Sequence, residues 1–67
     1  PIFVRIVVYN TLGQQIRTLF FDAVAAGRYR VSWDGKNEMG TQTASGVYIY
    51  RLEAPGVSIT RRMTLLK

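Results

Sequence analysis

Two residue types are missing from this 67-residue chain altogether, cysteine and histidine. Without cysteine there can be no disulfide staple, no thiolate nucleophile and no zinc-thiolate site. Without histidine the chain lacks the commonest metal ligand and the commonest general base. Acidic residues are scarce as well, limited to Asp22, Asp34, Glu38 and Glu53. No apolar run approaches the roughly 18–20 residues that a membrane-spanning helix needs, so no membrane span is expected. No signal peptide is visible, and no stretch sustains a helical period of apolar residues. What remains is 48% hydrophobic and 12% aromatic, the composition of a folding domain. A core built from so few residues lies near the lower limit for stability without staples, metal or partner.

The positive balance is lopsided in kind. Seven arginines stand against two lysines, for a net charge of +5. A nucleic-acid surface would gather such charge into a stripe. Here Arg28 and Arg30 flank Tyr29, and Arg61-Arg62 is the only adjacent pair. Arginine alternating with apolar residues reads as the solvated face of strands, and no nucleic-acid partner is expected.

Five β-forming runs follow one another. Ile2–Tyr9 is almost purely β-branched and aromatic and apolar on both faces, so the first strand is expected to be central or covered on both sides. Asn10-Thr11-Leu12-Gly13 is a turn, opened by the asparagine side chain and closed by glycine. Gln14–Phe21 makes the second strand of a hairpin, and Asp22–Gly27 reads as a loop. Arg28–Trp33 alternates, with Tyr29, Val31 and Trp33 on one face, which predicts a half-buried third strand with Trp33 at the centre of the core. Asp34–Ser45 is the longest polar segment. Gly46–Ala54 forms a fourth strand, Pro55-Gly56 a turn, and Val57–Leu66 a fifth. Gly46 is expected to permit a backbone geometry or a close approach that a side chain would block. The class is all-β, and five strands joined by short turns predict a small antiparallel β-sandwich.

Chemistry-bearing patterns are thin. Ser45-Gly46 is no nucleophile elbow, and Gly13, Gly27 and Gly35 lack the spacing of a phosphate-binding loop. Asp34, Asn37 and Glu38 offer oxygens in one loop but miss the alternate-position pattern of a calcium-binding EF-hand. An Asx-type bond from Asp34 into its own loop fits better. Catalysis and cofactors are therefore not expected. Trp33 with Tyr9, Tyr29, Tyr48 and Tyr50 could stack on sugar rings, though core and cross-strand packing explains them as well.

Taken together, these segments resemble a known group. Val4–Gly13, Ala26–Gly35 with its Trp33-Asp34-Gly35, Gly40, Ala44–Leu52 with Ser45-Gly46-Val47-Tyr48, and Thr60–Lys67 occur in the order seen in immunoglobulin-like C-terminal domains of secreted bacterial proteins. These include type IX secretion sorting domains and the related domain of the flagellar hook-capping protein. The resemblance implies an immunoglobulin-like sandwich whose structural motif is Trp33, Asp34, Gly35, Ser45, Gly46 and Tyr48. Among sorting domains the segment at Met63, Thr64, Leu65, Leu66 and Lys67 is similar to the part read by the outer-membrane secretion machinery.

On that footing the chain is expected to be a non-catalytic sorting and anchoring module that carries an upstream catalytic or adhesive domain to the cell surface or beyond. Hook-type structural assembly and carbohydrate binding stand as alternatives. Pro1 in place of methionine suggests excision from a longer protein, and sorting domains begin with a further strand upstream of that point. The loss of such a strand would leave Ile2–Tyr9 at a sheet edge with only Arg5 to discourage pairing, so a homodimer by strand pairing is expected.

Overall fold

The computed structural model describes residues 2–25 and 27–66. Among them are four strands: β1 (Ile2–Tyr9), β2 (Gln15–Val24), β3 (Gly46–Ala54) and β4 (Val57–Leu65). All pair antiparallel in one sheet of order β2-β1-β3-β4. The expected class is right, while five strands and two facing sheets are not found among the described residues.

β1 is an inner strand, paired with β2 on one side and β3 on the other. That fits its apolar character at the middle, where Val7 and Val8 are fully buried on opposite faces, while Ile2 and Phe3 at its start stay exposed. The expectation that it lies at an edge is wrong, because the flanking positions are already taken. The edges are β2 and β4. The β1–β2 turn forms as its residues dictate. Asn10 Oδ1 accepts from the N–H groups of Leu12 at 3.0 Å and Gln14 at 2.9 Å, and Gly13 takes φ +84°.

Register settles which side chains share a face, because residues directly opposite point the same way. Ile6 lies opposite Phe20 and Leu52, and Val8 opposite Arg17 and Tyr50. Across β3 and β4, Tyr48 faces Met63 and Leu52 faces Ile59. These residues make one apolar face, called the inner face below. The outer face carries Arg5, Val7, Tyr9, Ile49, Arg51 and Glu53. An Arg5–Glu53 ion pair at 3.5 Å and the Arg51 guanidinium 5.9 Å from the Tyr9 ring centre cover part of it. β2 carries an extra residue against β1 twice, at Leu19 and Ile16, the signature of β-bulges, which bend and twist the strand they occupy.

Three strand boundaries and one whole strand differ from expectation, beginning with β2, which starts at Gln15 and not at Gln14. β2 runs on to Val24, because Asp22, Ala23 and Val24 pair with Val4, Phe3 and Ile2. β4 stops at Leu65. Arg28–Trp33 is no strand: among the described residues it makes no ladder and no backbone hydrogen bond to the sheet. It runs beside the inner face as a lone irregular segment, with Tyr29 and Val31 lining the groove there. Trp33 is accordingly half-buried and not the centre of the core, which consists of Val7 and Val8, both fully buried, and Tyr48 at 8% exposure.

Val8→Ala removes two buried carbon groups from the middle of an inner strand and should cost about 2 kcal/mol. Ile2→Ala, at a site 53% exposed, should cost less than half as much. Denaturant midpoints of the two variants check the ranking.

Candidate functional site

The polar segment from Trp33 to Ser45 holds most of the residues singled out in the sequence and packs across one end of the inner face. Trp33 meets Tyr48 edge to face, ring centres 5.0 Å apart. The indole N–H donates to the Lys36 carbonyl at 2.9 Å, and the Tyr48 hydroxyl donates to the Ala44 carbonyl at 2.7 Å. Both polar tips thus turn back into the loop, and the rings seal it to the sheet. Gly35 is buried beneath. A Cβ there would sit 2.5 Å from Gln42 Nε2 and 3.2 Å from Leu65 Cδ2, and its φ of +79° disfavours any side chain. Its carbonyl accepts from the Thr43 N–H, the Thr43 hydroxyl and Gln42 Nε2.

The loop spans the face from edge to edge. Gly35 lies against Leu65 of β4, while Asp34 reaches Arg17 of β2 at 2.8 Å. Glu38 bonds the outer edge of β2 in two places: its N–H donates to the Ile16 carbonyl at 3.2 Å, and its carboxylate accepts from the Thr18 N–H at 2.8 Å. The bulged stretch of that edge is thereby occupied, which removes backbone groups that could template another strand.

The oxygens that suggested a cation loop are spent internally. Asp34 Oδ1 accepts from the Lys36 N–H at 3.0 Å, the expected Asx bond. Asn37 Oδ1 accepts from the Met39 and Thr41 N–H groups, both at 3.0 Å. Among the described residues no group of three or more His, Cys, Asp or Glu side chains could hold a metal ion. The Lys36 N–H, together with the Arg17 guanidinium, holds the Asp34 carboxyl below its ordinary range.

Of the five aromatic residues considered as a sugar platform, Trp33 and Tyr48 pack on each other, and the five do not form one shared surface. Tyr48 and Tyr50 belong to the inner face, and Tyr9 to the outer. Tyr29 lies along the groove with its hydroxyl on the Ala25 carbonyl. Of the motif residues, Trp33, Asp34, Gly35 and Tyr48 form one packed unit. Ser45 is exposed. Gly46 opens β3 with φ +149° and has no atom within 4 Å of the place a Cβ would take, so backbone conformation and not close approach accounts for it. Met63, Thr64 and Leu65 end β4, Leu66 follows exposed, and Lys67 lies outside the described residues. Sequence reading missed Gly35 as a packing point and Glu38 as the cover of β2. The Asp-Gly turn dipeptide signalled the first, and nothing local signalled the second.

One antiparallel sheet, an apolar inner face and a loop sealed by Trp33 on Tyr48 define a small immunoglobulin-like β-domain. Residues 3–56 match the family model of the FlgD Ig-like domain, and the chain belongs to that family. No curated protein and no solved structure matches it. The match supports the relation to the immunoglobulin-like domain of the hook-capping protein, and a type IX sorting domain is not shown.

Two outcomes follow for the loop. Gly35→Ala should destabilise the domain by more than about 1 kcal/mol, from both a forbidden backbone angle and a clash, and thermal melting reads it. Asp34 should also leave a pH signature. Its folded pKa is depressed below the unfolded value of about 3.9, so its contribution is present above that value and lost as pH falls through the lower, folded one. Acid titration of stability should be shallower in Asp34→Asn than in the parent sequence.

Proposed function

We propose that this domain is a structural assembly module, a non-catalytic immunoglobulin-like unit that helps build or join a larger extracytoplasmic structure, as in flagellar hook capping. The observation that carries the reading is the family match over residues 3–56, which takes in β1, β2, the sealed loop and β3. The spent oxygens of Asp34, Asn37 and Glu38 support it, since each stabilises the loop itself. A fold alone does not fix a role, so the reading rests on family membership and on what these side chains are occupied with.

Deleting the domain from its parent protein in the native cell provides the test. The assembly role predicts that the parent is still exported but fails to enter its higher-order structure. A parent trapped in the periplasm, together with a reporter carried to the surface by residues 1–67 alone, would instead establish sorting and contradict the proposal.

A further inference from the structure

The inner face is covered at one end only. Beyond the Trp33 loop a groove of about 400 Å³ lies open over the sheet. Its floor reaches from Phe20 on β2 through Val4 and Ile6 on β1 to Leu52 on β3, and Tyr29 and Val31 form its wall. Neighbouring strands lie about 4.8 Å apart, so four strands present a floor roughly 14 Å wide. The lone segment 28–32 is one chain wide and covers about a third of that. About two thirds of the floor's width is left without a chain over it at this end.

The wall is itself built to receive one. Arg28–Ser32 alternates basic with apolar residues and belongs to no helix or strand, and among the described residues its backbone has no hydrogen-bond partner. A strand laid antiparallel to it would satisfy those groups, and its side chains would share faces with their opposites. Positions opposite Tyr29 and Val31 would point into the groove and should be apolar. Positions opposite Arg28 and Arg30 would point to solvent, where both arginines are exposed and without a carboxylate partner among the described residues. Arg61, on the inner face two residues past Ile59, adds a third guanidinium without a carboxylate partner among the described residues.

We propose that the groove takes an extended strand of another protein in which apolar residues alternate with aspartate or glutamate. A second copy of this chain fits poorly. Each copy carries +5; the bulged stretch of its β2 edge is already occupied by Glu38, and its β4 edge brings Arg61-Arg62 with no carboxylate on that strand. Like charges placed opposite one another disfavour pairing. The inference rests on the assembly reading for its setting, but the groove and its charge are tested without it.

Two eight-residue peptides, alternating isoleucine with glutamate or with lysine, are titrated into the 67-residue protein and followed by amide NMR. The glutamate peptide should shift Arg28–Ser32 together with Val4, Ile6 and Leu52, and the lysine peptide should bind about tenfold more weakly. Arg28→Glu/Arg30→Glu, two exposed changes, should reverse that order, and N-methylation of the peptide on its pairing edge should abolish binding. Equal affinity for the two peptides, or shifts confined to the free edge of β4, would overturn the proposal. So would a dimer that protects the groove in sedimentation and exchange, or a longer natural form whose own preceding residues already fill it. A failed peptide titration leaves the deletion test of assembly standing, and a failed deletion test leaves the groove.

Discussion

The edge-to-face contact between Trp33 and Tyr48 is the one on which the rest of the molecule leans. It fastens the only long polar segment of the chain to the sheet and so places everything that segment carries. Gly35 reaches Leu65 at one edge because the rings hold the chain down beside it. Asp34 and Glu38 reach Arg17 and Thr18 at the other because the loop crosses the whole face. The ion pair between Asp34 and Arg17 is exposed and contributes little by itself. Its use is positional, as one of several short bonds fixing a segment that has few apolar residues of its own.

That fastening leaves an uneven molecule. At the loop end Val8 and Tyr48 are closed off, and Val7 is closed off on the opposite face. At the other end Ile2, Val57 and Ile59 of the same apolar face remain exposed, and Tyr29 stands 61% exposed on the groove wall. Burial contributes about 25 cal/mol for each Å² of apolar surface removed from water, so the open end forgoes stability that a covering strand would supply. A contiguous exposed apolar surface rimmed by charge is the usual mark of an interaction site. One end thus holds the fold, and the other is where the proposed partner strand would bind.

Which parts of this could be read from the residues follows from what alternation measures. β1 and β3 were legible to the residue, because Ile2–Tyr9 and Gly46–Ala54 are dense in β-formers and bounded by turn residues. In Arg28–Trp33 the alternation picked out Tyr29 and Val31, which line the groove but stay exposed, while Trp33 alone is half-buried. It could not tell that no strand lies alongside, because side-chain pattern reports burial and says nothing of the ladder. The end of β2 failed the other way. Asp22-Ala23-Val24 looks like loop, yet Ile2–Val4 draws it into pairing, a long-range contact that outweighs local preference. Trp33 was placed too deep for a related reason, since a large aromatic residue on an apolar face sits at the centre only when a second sheet closes over it. In the loop, the Asx bond of Asp34 was local and legible. The hold of Glu38 on β2 joins residues twenty positions apart and leaves no local trace.

Amide hydrogen exchange on the isolated domain tests the central claim, one sheet under an unpaired second layer, most directly. Amides of residues 5–9 on β1, flanked by strands on both sides, should exchange slowest, while those of Tyr29–Ser32 exchange at close to unprotected rates. Protection of Tyr29–Ser32 equal to that of β1 in the monomer would show a paired second sheet and contradict the account.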